Sequence, residues 1–487
     1  MNPQVRRLFL AIIFLMMLPL VAATSVHQVF NAPALNADSR NVRTVYREFN
    51  RDRGQIIVSG EAIASSTPVD DRFVYQRSYP HGPMYAHLTG YFSVINSSTT
   101  GLERLETDVL GGRSSSLWLQ RVQAMFTGEQ PQGGSVALTI NPALQQAAVE
   151  ALGGRRGAVV VTEPASGKVL AMVSSPSFDP NLLASHDTAT VTSAWENLNN
   201  PAAHKPLINR AISGDLYHPG SVFKMITAAA MLSSGQYTPQ TVLDSPDQLE
   251  LPQTNIKLSN YGGAACGNDG KATLDEAFVQ SCNTPFAAEA MKMGYEPLLA
   301  QAQAFGFDQG LSIPLSVTPS TLPEPPSQAL LAMEAIGQWD TRVTPLQMAM
   351  VAAGIANKGS VMRPFLIDKE LNANLEVVNT TPTSSISQAI TPEVAAQLSE
   401  MMVNEVNRGT GKKVAIPGFQ VAGKTGTAEG TVGEGPTTWF VGFAPAEAPR
   451  YAIAVVLDGG PDIPTNVTGG DVAAPVAKAI LQAGVGG

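Results

Sequence analysis

An apolar segment near the N-terminus is the feature that most constrains how this chain can fold. Arg6 and Arg7 precede residues 8–30, LFLAIIFLMMLPLVAATSVHQVF, which are apolar almost throughout as far as Ala23. A helix needs about 20 apolar residues to cross a bilayer, and basic residues are enriched on the cytoplasmic side. We therefore expect a transmembrane anchor over residues 8–30, with residues 1–7 as a cytoplasmic tail and the rest of the chain exported.

A cleaved signal peptide is the main alternative to the anchor. Val21-Ala22-Ala23 resembles a small-residue cleavage site, and Pro19 interrupts a short apolar core. A buried core helix is less consistent, because no segment precedes it that could cover it. The anchor and the signal peptide both place the bulk of the chain outside the cytoplasmic membrane.

The composition narrows the class of protein. Of the 487 residues 15% are charged and 44% hydrophobic, as in globular proteins. The net charge is −9 without a basic patch, so nucleic acid is not an expected partner. The six His and two Cys lack the spacing of a zinc site, and we expect neither a metal nor another cofactor.

The order of predicted elements indicates an α+β fold. The Pro/Gly-rich residues 127–134 predict a boundary between a small domain, 31–134, and a large one, 135–487. The large domain begins with a helix from Pro142 to the Gly153-Gly154 pair and a hairpin over residues 157–175. Mostly helical segments follow over 180–415, and then three strands and a helix at about 471–483. This order predicts an antiparallel sheet flanked by helices.

Three short stretches could carry chemistry: Ser221-x-x-Lys224, Ser281-Cys282-Asn283 and Lys424-Thr425-Gly426. A helix starting at Ser221 would place its hydroxyl and the Lys224 ammonium on one face. A cation in the first helical turn opposes the macrodipole, which makes Lys224 unusual there. Each stretch is weak alone, whereas the three in this order form a strong signal.

Simpler interpretations exist for each stretch in isolation. Ser221 could cap a helix, with Lys224 as a solvated side chain. Ser281 and Asn283 could cap a turn. Lys424 could be solvated, and Thr425 and Thr427 alternate as ordinary strand residues do.

The chain resembles the penicillin-binding proteins, and among them the monofunctional class B D,D-transpeptidases. The resemblance rests on the three stretches and on further segments: RGQI (53–56), GLE (101–103), LTINPALQ (138–145), NRAISGDLYHPGSVFK (209–224), IGQWDTRVTPLQMA (336–349) and TTWFVGFAPA (437–446). The family's usual Asp-Arg pair after RGQI is replaced by Val58-Ser59. The resemblance covers essentially the whole chain and implies a compact member, without a glycosyltransferase domain before it or repeat domains after it.

The resemblance implies a fold and a set of roles. The fold would be a transpeptidase domain like the serine β-lactamases and D,D-peptidases, with a five-stranded antiparallel sheet, behind the anchor and a non-catalytic pedestal domain at 31–134. Ser221 would be the acylated nucleophile and Lys224 its base, with its pKa lowered by burial and by Lys424 as a second cation. Ser281 would shuttle a proton to the leaving amine.

The remaining implied roles concern substrate binding. Asn283 would hold the peptide side of the substrate. Lys424, Thr425 and Thr427 would bind a C-terminal D-Ala carboxylate, with Gly426 between the two threonines. The backbone N–H groups of Ser221 and Thr427 would form the oxyanion hole.

Several other functions are compatible with parts of this sequence. Residues 418–425 match the P-loop pattern, but the following GTAEGTVGEGP does not predict the helix that a P-loop needs. A D,D-carboxypeptidase, a serine β-lactamase and a β-lactam-acylated sensor would share the same constellation, although a class A β-lactamase needs a Glu base that cannot be assigned here. A non-enzymatic scaffold is a further alternative.

The sequence also bears on cysteine pairing and on partners. In an exported compartment Cys266 and Cys282 could form a disulfide that pins the Ser281-Cys282-Asn283 stretch, with two free thiols as the alternative. The family implies peptidoglycan stem peptides and β-lactam antibiotics as substrates and ligands. It also implies the cytoplasmic membrane and a RodA/FtsW-type glycan polymerase as partners.

Overall fold

The computed structural model describes residues 3–25, 51–117, 132–429, 435–460 and 463–486. The chain divides into two compact units. One comprises residues 1–52 and 67–76, and the other comprises residues 53–66 and 77–487.

The first unit contains an N-terminal helix that is long and apolar enough to cross a membrane. Helix α1 runs from Pro3 to Ser25 and contains Pro19. Its Pro3–Val21 portion has a mean hydropathy of 1.9. The helix therefore begins earlier than the predicted anchor, and the predicted end, residues 26–30, lies outside the described residues.

The second unit holds most of the helices and strands. The further helices are α2 (Gly82–Thr89), α3 (Gly101–Leu105), α4 (Thr107–Leu110), α5 (Pro142–Leu152), α6 (Pro180–Ala184), α7 (Thr188–Leu198), α8 (Lys224–Ser233), α9 (Leu274–Val279), α10 (Thr284–Met293), α11 (Tyr295–Ala304), α12 (Gln328–Glu334), α13 (Pro345–Ala356), α14 (Pro392–Arg408) and α15 (Gly469–Val485). The strands of the described chain are β1 (Ile56–Val58), β2 (Glu61–Pro68), β3 (Tyr75–Ser78), β4 (Phe92–Ser93), β5 (Ser98–Thr99), β6 (Ser135–Leu138), β7 (Gly157–Thr162), β8 (Val169–Ser175), β9 (Val242–Asp244), β10 (Gln248–Glu250), β11 (Lys257–Ser259), β12 (Lys271–Thr273), β13 (Leu311–Ser312), β14 (Ser316–Val317), β15 (Ser360–Met362), β16 (Ile367–Leu371), β17 (Val377–Thr380), β18 (Ser385–Gln388), β19 (Ala422–Ala428), β20 (Thr437–Ala444) and β21 (Tyr451–Leu457).

A five-stranded antiparallel sheet in the order β19-β20-β21-β7-β8 forms the centre of the large domain. Its strands are buried on both faces, because successive side chains enter two different cores. Val456 and Ala454 belong to a core that includes residues of α8 and α13 on one side, whereas Val455 and Ile453 belong to a core that includes residues of α5 and α15 on the other. The predicted fold class is confirmed, and helices cover both faces of the sheet.

Local signals placed the ends of several elements correctly. Asn141 caps α5, and Gly153 ends it in the left-handed conformation at φ 58°. The predicted hairpin is the β7–β8 pair. The C-terminal helix α15 is slightly longer at each end than the predicted 471–483.

A second sheet, of six strands, has the order β17-β16-β6-β1-β2-β3. Strand β1 pairs in parallel with β6, and β16 pairs antiparallel with β6. This sheet combines strands from both sides of the predicted domain boundary at 134/135. That boundary stays a prediction.

Three buried charged residues form a group that we name the arginine cluster: Arg53, Arg77 and Glu103. The Arg53 Nε lies 2.5 Å from Glu103 Oε2, and the Arg77 Nε lies 2.6 Å from Glu103 Oε1. The carboxylate therefore faces one guanidinium at each oxygen, which compensates the cost of burying it.

Candidate active site

Ser221 lies in a tight turn, not in the first turn of an α-helix. Gly220–Phe223 form a 3-10 turn, and α8 begins only at Lys224. The turn is held at its start by Gly220, whose N–H donates to Gly337 O at 2.8 Å. Gly220 has a φ of +54°, and a Cβ there would lie 2.7 Å from Thr427 O. The sequence thus predicted the neighbourhood of Ser221 and Lys224 but placed the helix start too early.

Strand β19 crosses directly beside this turn. A Cβ at Gly426 would lie 2.9 Å from Pro219 O and 3.1 Å from Val222 N, so glycine is required for the close approach. The approach brings the backbone at Thr427 against the turn that carries Ser221. Because residues 418–425 lead into a strand and not a helix, the P-loop alternative is excluded.

Lys224 points from the start of α8 to Ser221. The side chain is fully buried, and its Nζ lies 3.1 Å from Ser221 Oγ. It also lies 2.7 Å from Ser281 O and 2.8 Å from Asn283 Oδ1. Burial and the nearby Lys424 charge hold the pKa of Lys224 well below its usual range. The solvated interpretation of Lys224 is therefore wrong.

Asn283 is oriented by its own neighbours. Its Nδ2 donates to Ser259 O at 3.0 Å, which leaves Oδ1 facing Lys224. Asn260 Oδ1 accepts from the N–H groups of Asn283 and Thr284 at 2.8 and 3.0 Å. These two hydrogen bonds to Asn260 thus stabilise the turn between α9 and α10.

Ser281 contributes its backbone carbonyl group to the site. The contact with Lys224 is made by the Ser281 carbonyl, and the residue has a φ of +59°, which is uncommon for a serine. The structure joins the adjacent Cys282 to Cys266 in a disulfide. This bond ties the Ser281-Cys282-Asn283 turn to the loop before β12.

Lys424 is the second fully buried lysine of the site. Its Nζ donates to Thr425 O at 3.2 Å and lies 3.7 Å from Glu405 Oε1. Burial lowers the pKa of Lys424, and the Glu405 carboxylate raises it in opposition. Lys424 is thus not a solvated strand lysine.

The two threonines of β19 face different surroundings. The Thr425 hydroxyl is 3.1 Å from Glu405 Oε1 and also contacts Thr410 Oγ1, and the residue is only 5% exposed. Thr427 is half-buried, and its Oγ1 accepts from Gly469 N–H at 3.1 Å. Thr427 is therefore the more accessible of the two.

Sequence reasoning missed Glu405, Thr410 and Asn260. The signal for Glu405 was present, because it continues the apolar face of α14 formed by Leu398, Met401 and Met402. A carboxylate at such a position needs a buried partner. Asn260 carries no comparable signal, since its role depends on a distant turn.

Comparisons with known proteins identify the family of this chain. The penicillin binding protein transpeptidase domain family matches residues 157–482, and the penicillin binding protein A dimerisation domain family matches residues 53–136. The Mycolicibacterium smegmatis protein named peptidoglycan D,D-transpeptidase PbpA is 46% identical over 99% of both chains. The Mycobacterium tuberculosis protein of the same name is 44% identical over the full length of both.

Solved structures are similar over most of the chain. The ceftriaxone acyl-enzyme of penicillin-binding protein A from M. tuberculosis has a TM-score of 0.85 and 44% identity, over 90% of this chain and 99% of that one. The penicillin G acyl-enzyme of that protein has a TM-score of 0.84 and 43% identity, over 89% and 100%. The chain described here belongs to the penicillin-binding protein transpeptidases.

Proposed function

We propose that this protein is a peptidoglycan D,D-transpeptidase in which Ser221 is the acylated nucleophile and Lys224 its general base. The observation that carries the assignment is the 3.1 Å contact between Ser221 Oγ and a fully buried Lys224 Nζ. The other two partners of Nζ are carbonyl oxygens. A neutral amine has two N–H donors for those oxygens and one lone pair, which then faces the Ser221 hydroxyl.

The relatives support the reaction class. Two are named peptidoglycan D,D-transpeptidase PbpA, and structures of M. tuberculosis penicillin-binding protein A are described as acyl-enzymes with ceftriaxone, imipenem and penicillin G. For this chain we assign peptidoglycan stem peptides as the substrate and β-lactam antibiotics as acylating ligands of the same serine.

Acylation follows from the position of Lys224. The Ser221 oxygen attacks the carbonyl carbon of the penultimate D-alanine while its proton passes to Lys224 Nζ. The C–N bond to the terminal D-alanine then breaks, and Lys224 Nζ returns the proton to the leaving nitrogen through the Ser281 hydroxyl. D-Alanine departs, and an ester remains on Ser221.

Transfer completes the reaction. An amine from a second stem peptide attacks the ester carbonyl carbon and loses a proton to Lys224 Nζ. The bond to Ser221 Oγ breaks, and the serine recovers its proton. The product is a new peptide bond between two strands.

The oxyanion of both steps would lie between the backbone N–H groups of Ser221 and Thr427. The glycine-dependent approach of β19 to the 3-10 turn supports this role, because it places both main chains side by side. Preformed donors of this kind stabilise charge that develops only in the transition state.

The remaining residues would orient the substrate. We assign Asn283 to the peptide side, and Lys424, Thr425, Gly426 and Thr427 to the strand that receives the C-terminal D-alanine. Of the two hydroxyls, Thr427 is the better placed for the carboxylate, since that of Thr425 is engaged by Glu405 and Thr410.

The location follows from the N-terminal helix. We propose that α1 is a single retained anchor and that the catalytic domain, residues 135–487, lies on the outer side of the cytoplasmic membrane. The pedestal domain, 31–134, and the anchor would face a RodA/FtsW-type glycan polymerase. The apolar character of α1 supports the anchor.

Two measurements test the proposed function. Purified protein is first labelled with fluorescent penicillin, and we expect an adduct on Ser221 that is absent from Ser221→Ala and present in Ser233→Ala, a control at the exposed end of α8. A missing adduct in the unaltered protein would remove every enzymatic version of the proposal.

The second measurement separates transfer from hydrolysis. The protein is supplied with a stem-peptide thioester and a D-amino acid, and the products are identified by mass spectrometry. A D,D-transpeptidase forms the new amide. Hydrolysis alone would indicate a D,D-carboxypeptidase, and a persistent acyl-enzyme would indicate a sensor.

A further inference from the structure

Glu405 is a fully buried carboxylate behind the Lys424-Thr425-Gly426 strand. Its Oε1 accepts hydrogen bonds from the N–H and the hydroxyl of Thr425, both at 3.1 Å, and from Thr410 Oγ1 at 2.6 Å. The same oxygen lies 3.7 Å from Lys424 Nζ. Four contacts, three of them with Lys424 and Thr425 of β19, therefore hold Oε1 in place against this strand.

Burial and aromatic contacts do not distinguish the two lysines of the site. Lys224 and Lys424 are both 0% exposed. The Nζ of Lys224 lies 5.7 Å from the centre of the Phe286 ring, and the Nζ of Lys424 lies 5.6 Å from that of Phe278. Any preference for a charged amine at one position must therefore come from the other neighbours.

Those neighbours differ in charge. Lys224 contacts a hydroxyl and two carbonyl oxygens, all of them neutral. Lys424 faces the Glu405 carboxylate. Within the described part of the chain, this is the one carboxylate within ion-pairing distance of either amine.

We propose that Glu405 is a positioning residue that determines which of the two buried lysines carries the proton. It holds Lys424 as the ammonium, and the positive charge of Lys424 then leaves Lys224 as the neutral base. The inference rests on the proposed function of Lys224. We name Lys224, Lys424 and Glu405 the lysine cluster.

The directions of the pKa shifts agree with this arrangement. Burial, followed by the Lys424 charge, lowers the pKa of Lys224. Burial also lowers the pKa of Lys424, but Glu405 opposes that effect. The two amines therefore titrate as a coupled pair in which Glu405 sets the order.

Other charged groups on the elements packed around α14 do not take part in this pair. Asp275 on α9 is bound by Asn404 and Arg408 at the outer side of the helix. Lys413 in the 3-10 turn before β19 pairs with Asp471 at 2.7 Å. The other charged residues on α9 and that turn are Glu276, which caps α9, and Lys412, which is exposed.

The proposal predicts a specific pH profile for acylation by penicillin. The rate rises with pH as Lys224 loses its proton and falls as Lys424 loses its proton. In Glu405→Gln the pKa of Lys424 falls, so the descending limb moves to lower pH. Lys224 then feels less positive charge, so its pKa rises and the ascending limb moves to higher pH.

The test compares Glu405→Gln with Glu400→Gln, an exposed glutamate on the same helix. The measured quantity is the second-order rate constant of Ser221 acylation from pH 5 to 10. We expect the active window to narrow from both sides in Glu405→Gln, with a shift of about one pH unit or more in the descending limb. We expect no shift in Glu400→Gln. A lower rate at all pH values with both limbs unmoved would overturn the proposal.

A second measurement needs no substitution at Glu405 and applies even if Glu405→Gln does not fold. The unaltered protein is labelled with ¹³C at lysine Cε, and the signal that disappears in Lys424→Arg is assigned to Lys424. We expect Lys424 to keep the chemical shift of a charged amine at a pH where Lys224 already shows that of a neutral one. The reverse order, or two amines that stay charged together, would overturn the proposal. Failure of the proposed function is distinct, because it appears as a missing penicillin adduct in the unaltered protein.

Discussion

The arginine cluster and the lysine cluster each bury two basic residues around one carboxylate, but they distribute the contacts differently. In the arginine cluster both guanidinium groups contact the carboxylate, at 2.5 and 2.6 Å from Glu103. In the lysine cluster only Lys424 faces Glu405, at 3.7 Å, while Lys224 contacts neutral oxygens.

This difference in the contacts of the carboxylate suits the arginine cluster to a structural role and the lysine cluster to a chemical one. A guanidinium cannot lose its proton in a protein, so two of them sharing one carboxylate form a permanently charged structural centre. A lysine can lose its proton when it is buried. Placing the carboxylate beside one lysine and not the other assigns the charge to Lys424 and the lone pair to Lys224.

The largest expected effect comes from replacing Lys224 of the lysine cluster by arginine. In Lys224→Arg the base position carries a group that stays protonated, so we expect acylation by penicillin to fall by about 10²–10⁴-fold. The rate constant is measured with fluorescent penicillin, and circular dichroism checks that the variant is folded. A folded Lys224→Arg protein with an unaltered rate would contradict the role of Lys224 as base.

Removing the carboxylate of the arginine cluster should affect stability and not chemistry. Glu103→Gln leaves Arg53 and Arg77 buried without their counter-charge, which costs about 3–5 kcal/mol of unfolding free energy. Urea unfolding measures the loss. The control is Glu61→Gln, which changes an exposed side-chain contact with His81 and should cost less than about 1 kcal/mol.

The same variant distinguishes the two clusters directly. We expect the folded fraction of Glu103→Gln to keep both limbs of the acylation pH profile, whereas Glu405→Gln shifts them. If Glu103→Gln moved the limbs as well, the two clusters would not be separate in function.

A third buried carboxyl, Glu334 at the end of α12, extends the comparison, because it pairs with no cation in the part of the chain that the structure describes. Neither of its oxygens has a hydrogen-bond partner among the described residues, and burial, followed by Asp340, raises its pKa to about 8. The unfolded chain releases this proton near the ordinary value, and the folded chain retains it to about pH 8. The contribution to stability is therefore fully present at acidic pH and is lost as the pH rises toward about 8.

Glu334→Gln removes this titration. We expect the fall in unfolding free energy between pH 5 and pH 8 to be smaller in the variant by about 1–3 kcal/mol. Urea unfolding at both pH values measures it, with Glu400→Gln as an exposed control. A variant with the same pH dependence as the unaltered protein would show that Glu334 is already ionised in the fold.

The sequence predicted those parts of the fold and site that local patterns determine. Two β-rich runs flanking a turn predicted the β7–β8 hairpin, and Pro142 and the Gly153-Gly154 pair predicted the bounds of α5. The order of the three motifs placed Ser221, Lys224 and Asn283 together. Each of these features lies within a few residues of chain or within a known motif.

The rest depends on pairing between distant segments. Strands β16 and β17 join the sheet of the N-terminal region through contacts that no periodicity encodes. The Glu405–Lys424 contact depends on how α14 packs on β19, so the helical pattern could show an unusual glutamate but not its partner. The start of α8 was misplaced because a 3-10 turn and an α-helix share the same sequence signals.

The smallest expected effect tests whether the position of Glu405 matters as well as its charge. A Cβ at Gly411 would lie 2.2 Å from Glu405 Oε2, so Gly411→Ala must displace the carboxylate while leaving it and both lysines in the chain. We expect the acylation window to narrow in the same direction as in Glu405→Gln but by less, about half a pH unit, because the charge remains nearby. Gly310→Ala is the matched control, since a Cβ there meets no atom within 4 Å. A Gly411→Ala profile identical to that of Gly310→Ala would mean that the charge of Glu405 acts without the 3.7 Å contact to Lys424. The electric field of the carboxylate, and not its exact position, would then determine which lysine carries the proton.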